Sequence, residues 1–378
     1  MKRKEFIFHS NHYEKLVNYI KTQKEQIINE LMDNKNNNCI ISNNNLSNIL
    51  NEKTNLESLN NIIEKEKSQK NQILLTYYLE VKENKNNYKI QILGDEFVKI
   101  NKKNCKLIID QYEYELISKF NLSVGNHEIN IIGKITNFKN MFKGVSLLTK
   151  SPIFFENGLK DIKSLDGLFS DSNNLRDISS FSYLDVSKVS SLNNLFSGCR
   201  ELKDISPLSK WDIRNVTLLN GLFNDCIYLM DVTSSSHWNI SNVTSLNNLF
   251  NNCISLIEIS PLSNWNVSNI TLLEQLFYNC KLLKDISALS NWNVSKVISL
   301  DYLFYDYVSL NDISSLSKMN VSNVTSLEYL FSYYTSLKDI SALFKWIFTK
   351  KCQFFCFLNE TKINNDMKNS FLQKLYKL

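Results

Sequence analysis

Apolar positions in the central part of the chain recur with a strict period of 27 residues. Phe142 is followed by Phe169, Phe196, Phe223, Phe250, Phe277, Phe304 and Phe331, with no insertion or deletion between them. A fixed period between about twenty and fifty residues marks stacked supersecondary units, each burying its apolar face against its neighbours. Within one unit, Val243, Leu246, Leu249, Phe250 and Cys253 keep the spacing of one face of a short helix. Asn242 or Thr244 is placed to cap its start. Leu256-x-x-Ile259-Ser260 has room only for a short strand. The expectation is therefore an α/β repeat solenoid of about eight 27-residue units over 135–346, with parallel strands on one face and helices on the other.

The flanks differ from the repeats. Residues 1–71 are charged and Asn-rich. Tyr13, Leu16, Val17, Ile20, Ile27, Ile28 and Leu31 keep helical spacing there, and a weaker stripe runs through Leu56, Leu59, Ile62 and Ile63. This reads as a helical arm through which the chain can oligomerise. Residues 72–134 hold strand candidates at 73–81, 88–93, 105–116 and 129–135, punctuated by Gly94 and Gly125. They read as a β-rich capping module shielding the first repeat. Residues 347–378 break the period and read as a C-terminal cap, with a terminal helix from Met367.

Equivalent residues of a repeat array stack beside one another, so the columns carry the information. Trp211, Trp238, Trp265, Trp292 and Trp346, with Met319 in the sixth place, read as core, as do Leu202, Leu229, Leu256, Leu283, Leu310 and Leu337. Cys199, Cys226, Cys253 and Cys280 form a third column. Metal-binding thiols come as close pairs, whereas these occur once per unit and give way to Ser172, Tyr307 and Tyr334, so they read as core-filling thiols. A fourth column is acidic in seven successive units: Asp177, Asp204, Asp231, Glu258, Asp285, Asp312 and Asp339. Two residues on stand the hydroxyls of Ser179, Ser206, Thr233, Ser260, Ser287, Ser314 and Ser341. On strands these would share a face. Two readings stay open: the carboxylates close the turn into the strand, or they form a concave ladder that contacts a partner, with Ser206, Ser260 and Ser287 beside them.

Charge is unevenly divided. The chain carries a net +5, but residues 135–346 hold 17 Lys and Arg against 19 Asp and Glu. No dense basic stripe interleaved with aromatics is present, which argues against nucleic acid. The basic start, Met1 to His9, leads into no apolar run of leader length, and charged residues interrupt every apolar stretch. The expectation is a cytoplasmic chain with no membrane association, the alternative being a cell-surface or secreted one. The Asn-x-Ser/Thr triplets at Asn215, Asn242, Asn266, Asn269, Asn293, Asn320 and Asn323 then read as turn caps rather than glycosylation sites. The four histidines (His9, His12, His127, His237) are scattered, and no phosphate loop or nucleophile elbow appears. No catalytic, cofactor, metal or small-molecule site is expected.

At the repeat columns the chain resembles the BspA-like leucine-rich-repeat family. Residues Trp238 to Leu256 read W-N-I-S-N-V-T-S-L-N-N-L-F-N-N-C-I-S-L, close to the family hallmark. Members usually show Met where this chain has Leu195, Leu222 and Leu249. The resemblance covers about 135–346, and the segment Ile92 to Val98 with Asn101 and Cys105 looks like the small module preceding such repeats. It implies a leucine-rich-repeat-like array and a role in protein binding or surface adhesion. The expectation is a non-catalytic scaffold binding a protein partner of unknown identity through its concave face, or a BspA-like adhesin.

Overall fold

The computed structural model describes residues 73–83, 89–154 and 162–376. The helical arm expected over 1–71, with any oligomerisation through it, lies outside the described residues. The first described region contains β1 (Ile73–Val81), β2 (Ile90–Gln91), α1 (Asp95–Asn101), β3 (Cys105–Ile109), β4 (Tyr112–Glu115), β5 (Lys119–Phe120) and β6 (Gly125–Gly133). An antiparallel sheet runs β4-β3-β6-β1 and gains β7 (Ile153–Phe154) on the far edge of β1; β2 pairs with β5. Along β1 the two-residue period buries Tyr77, Leu79 and Val81 and turns Tyr78 and Glu80 outward. Asp110 and Gln111 take φ of 48° and 76°, a mirror-image turn whose twist suits a tight hairpin. They split the single strand candidate 105–116 into β3 and β4.

Two devices tie α1 to the start of the repeats. The buried Asn101 carboxamide donates to the carbonyls of Phe97 (3.1 Å) and Asn137 (2.9 Å), and its oxygen accepts from the Thr136 N–H (2.8 Å) and hydroxyl (3.0 Å). Every polar atom of this side chain is thus paired, which a buried amide requires. Gly94 precedes α1 and donates its N–H to the Met141 carbonyl at 2.7 Å. A Cβ there would lie 1.9 Å from the Asn140 carbonyl oxygen.

The repeats form a regular array, but not of the expected strands and helices. The helix expected over 243–253 is a run of turns. Asn248 and Asn252 both have φ of 59°, and the same two columns are left-handed in other units, for example at Asn194, Gly221, Asp225 and Asn279. A left-handed residue at every fourth place forbids an α-helix. Instead the N–H groups of Leu246, Asn248, Phe250 and Asn252 donate to the next unit, at Leu272, Glu274, Leu276 and Tyr278, over 2.7–3.1 Å. Those of Leu249, Asn251 and Cys253 close three-residue turns within the unit.

The strand expected at 256–260 is likewise absent. The segment leads instead, through Ile259 at φ −127° and ψ 17°, into a 3-10 helix at Ser260–Asn264, and equivalents recur at Ser206–Leu208, Ser287–Asn291, Ser314–Lys318 and Ser341–Lys345. Parallel pairing runs mainly through another column, as single bridges from Ser164 through Ser191, Leu218, Ser245, Leu272, Ser299 and Ser326 to Gln353, with one further bridge between Lys150 and Asp177. The array is sheet-poor because these pairings are single bridges that never extend into a ladder.

The core follows the columns. Phe142 through Phe331 stack ring on ring at 5.5–6.2 Å with interplanar angles of 4–16°. Each indole Nε1 of Trp211, Trp238, Trp265, Trp292 and Trp346 donates to a carbonyl of the preceding unit at 2.7–3.2 Å. Each thiol of Cys199, Cys226, Cys253 and Cys280 donates to another at 3.1–3.2 Å. Tyr77 meets one end of the ring stack edge-on at 4.9 Å from Phe142. Phe357, edge-on to Phe331, closes the other and stacks on Phe371 of α2 (Asn365–Tyr376). Lys374 of α2 donates to the carbonyls of Phe344 and Trp346, each at 2.6 Å.

Two expectations follow. Gly94→Ala forces the module and the first repeat apart, and overpacking of this kind costs roughly 1–3 kcal/mol; urea unfolding of the two proteins measures the difference. His127 places Nδ1 2.5 Å from the Asp110 carboxylate and Nε2 2.9 Å from the Ser123 carbonyl. Burial pulls its pKa down, but both hydrogen bonds and the Asp110 charge outweigh it and hold the pKa above 6.5. A raised folded-state pKa stabilises fully below the unfolded value and less as pH rises through the folded one. The melting-temperature gap between wild type and His127→Gln therefore narrows as pH rises from about 6.

Candidate functional site

The acidic column lies two residues before each 3-10 helix and belongs to no strand, Asp177 alone making a single bridge, to Lys150. That corrects the expected sheet-face ladder of carboxylates and hydroxyls. In Asp177, Asp204, Asp231, Asp285, Asp312 and Asp339, Oδ1 accepts the N–H two residues on, from Ser179, Ser206, Thr233, Ser287, Ser314 and Ser341, at 2.7–2.9 Å. This side-chain turn occupies the first free N–H of the 3-10 helix. Hydroxyls of Thr233, Ser287, Ser314 and Ser341 add a second bond, and Ser260 gives one to Glu258. Asp177 is half-buried and pairs with Lys150 at 3.0 Å. Burial raises its pKa, but the Ser179 hydrogen bonds and Lys150 more than offset that and hold it below the usual value. The other six acids are exposed.

Beside these carboxylates runs an apolar strip that no column announced. Tyr228, Met230, Ile257 and Leu282 are 42–50% exposed. Their segments lie side by side, with Ile257 N–H on the Met230 carbonyl and Leu282 N–H on the Ile254 carbonyl, each at 3.3 Å. The Lys203 ammonium stands 5.1 Å from the Tyr228 ring centroid, within cation–π range. The face thus combines a row of charges with exposed apolar side chains. Its only sequence signal was Tyr228, Met230, Ile257 and Leu282 standing at slots held elsewhere by Glu201, Lys203, Ser255 and Lys284.

The asparagines of the Asn-x-Ser/Thr triplets are structural. Nδ2 of Asn215, Asn242, Asn269 and Asn323 donates to a carbonyl of the preceding unit at 2.7–2.8 Å. Asn239, Asn266, Asn293 and Asn320 accept the N–H two residues on, at 3.1–3.2 Å. Among the described residues, no three His, Cys, Asp or Glu side chains gather closely enough to hold a metal ion. The thiols of Cys199, Cys226, Cys253 and Cys280 are free and buried, and burial pushes their pKa values up.

The repeat pattern has a counterpart among protein families. The family described as "Mycoplasma protein of unknown function, DUF285" matches residues 111–204, 163–260 and 254–370. The chain belongs to this family. The three DUF285 matches overlap and run from the β3–β4 hairpin to α2, so the family's unit is itself repeated along the array. No curated protein and no solved structure matches this DUF285 chain. Among the described residues, no helix is long and apolar enough to cross a membrane.

The turn geometry separates the two roles of the acidic column. Replacing Asp204, Asp231 and Asp285 by Asn keeps the acceptor oxygen and removes the charge, so the melting temperature stays where it is. Replacement by Ala removes the acceptor as well and costs about 1 kcal/mol per site, as for a lost cap. Thermal unfolding of the two triple variants distinguishes them.

Proposed function

We propose that the chain is a non-catalytic scaffold that binds a protein partner through the face carrying the acidic column and the adjoining apolar strip. The observation that carries this reading is the exposed row Tyr228, Met230, Ile257 and Leu282 beside Asp204, Asp231, Glu258 and Asp285. Contiguous apolar side chains rimmed by charges are the usual composition of a protein interface. A phosphate backbone would be repelled by the same carboxylates. Under this reading the array is a leucine-rich-repeat-like solenoid of about eight units, whose preformed surface keeps the ordering cost of binding low. The proposed setting is the cytoplasm.

A second reading rests on the close match of Trp238 to Leu256 to the BspA-like hallmark. It makes the chain a surface or secreted adhesin that binds host or matrix proteins through the same face. The fold and the face serve either setting, so location divides the two readings.

The test immobilises the full chain and a Tyr228→Ser, Met230→Ser, Ile257→Ser variant and compares what each retains from cell extract and from matrix preparations. The expected result is a protein held by wild type and lost from the variant at equal melting temperature. Equal retention by both proteins rules this face out. Antibody staining of intact and permeabilised cells then assigns the setting: signal on intact cells supports the adhesin, and signal only after permeabilisation supports the cytoplasmic scaffold.

A further inference from the structure

The carboxyl-terminal units carry a second surface, built of tyrosines. Tyr278 and Tyr305 stack at 4.7 Å with an interplanar angle of 4°, and Tyr302 and Tyr329 stack at 4.7 Å with 9°. The two pairs meet where Tyr302 and Tyr305 lie 5.6 Å apart. Tyr333 joins Tyr305 at 5.3 Å, and Phe355 abuts Tyr329 edge-on at 5.4 Å. Tyr333 is 44% exposed and Phe355 63%. Six aromatic side chains from successive units thus form one continuous cluster reaching solvent.

The fold does not require these rings. Tyr302, Tyr329 and Tyr333 hold φ of 55–57°, a left-handed conformation that costs a bulky residue energy and costs Asn or Gly little. The columns of Tyr302 and Tyr329 are filled in earlier units by Asn140, Gly167, Asn194, Gly221, Asn248 and Gln275. That of Tyr333 is filled by Gly144, Asp171, Gly198, Asp225, Asn252, Asn279 and Asp306. Three tyrosines have replaced cheap residues within one patch, against local backbone preference. Strain concentrated in this way points to function.

The charges around the cluster say what it would take. Asp301 and Glu328 immediately precede Tyr302 and Tyr329, and Asp306 follows Tyr305. Beyond burial, Asp306 raises the pKa of Tyr278 and Tyr305, Glu328 and Asp301 raise that of Tyr302, and Glu328 raises that of Tyr329. Lys281 opposes this at Tyr278 and pairs with Asp306 at 3.0 Å. The patch is therefore aromatic and electronegative. Tyrosine offers large contact area at low cost in side-chain entropy, and ring faces attract ammonium and guanidinium groups. A neutral glycan can donate hydroxyls to the carboxylates but, unlike a cation, gains no charge attraction from them.

We propose that Tyr278, Tyr302, Tyr305, Tyr329, Tyr333 and Phe355, with Asp301, Asp306 and Glu328, form a docking surface for a protein segment rich in Arg or Lys. It shares no residue with the face of the proposed function, and the variants below test the two independently. The test is calorimetric titration of the full chain with a peptide of alternating Arg and Gly, with an alternating Glu–Gly peptide as control. The basic peptide binds, the acidic one does not, and affinity falls as salt rises. The Tyr302→Asn, Tyr329→Asn, Tyr333→Asn variant restores the residue type used in earlier units. It binds about tenfold or more weakly while melting no lower than wild type. Asp306→Asn with Glu328→Gln weakens binding without touching a ring, and Tyr228→Ser, Met230→Ser, Ile257→Ser leaves it unchanged. Failure of the basic peptide to bind wild type, or equal binding by both cluster variants, overturns the proposal. Ring-dependent binding of a neutral maltooligosaccharide without peptide binding overturns it too, in favour of a carbohydrate surface.

Discussion

In the turn segment of each unit, alternate N–H groups face out of their own unit and into the next. Leu246, Asn248, Phe250 and Asn252 all donate across a unit boundary. An α-helix would have satisfied those donors internally; here they are satisfied only when a neighbour is present. Buried backbone donors are expensive to leave unpaired, so no unit is complete alone. The side chains repeat this logic, since the indoles of the Trp column and the thiols of the Cys column also donate backwards to the preceding unit. Stability in such an array is a sum over nearest-neighbour contacts.

The same constraint explains the two ends. A terminal unit would expose both an aromatic face and a row of unpaired backbone groups. Tyr77 covers the first ring of the stack, and the Gly94 N–H meets the Met141 carbonyl. At the other end Phe357 and Phe371 cover the ring stack, and Lys374 takes up two carbonyls. Burial lowers the Lys374 pKa, the ordinary consequence of moving an ammonium toward a protein interior.

The period and the Phe and Trp columns could be read directly from residue spacing, whereas the turns continue past the expected end at 346, through Cys356 and Glu360. The local backbone could not, because apolar residues at 243, 246, 249, 250 and 253 suit a coil of three-residue turns as well as an α-helix. The distinguishing signal was present in Asn248 and Asn252, and in Gly167, Gly198 and Gly221 at the same columns, all residues that accept positive φ. The acidic column was visible as a column, yet it was placed on a strand, where the structure has a side-chain turn before a 3-10 helix. An acid followed two residues later by Ser or Thr in seven successive units is the mark of a side-chain turn, and it outranks the alternation rule for strands. The apolar strip and the tyrosine cluster were hidden for a different reason. Both depart from the repeat, and a search for columns passes over what only some units carry.

The thiol column turns the array into its own recorder. Cys199, Cys226, Cys253 and Cys280 are sealed in the core, each bonded to a carbonyl one unit away, and burial drives their acidity down, for Cys280 to a pKa of about 12. A thiol in that state is inert to electrophiles, because the thiolate is the reactive form. Each becomes reactive only in molecules whose own unit has opened. Four chemically identical probes therefore sit at regular intervals along one axis, and their relative labelling rates would map where the chain frays first and how far an opening spreads.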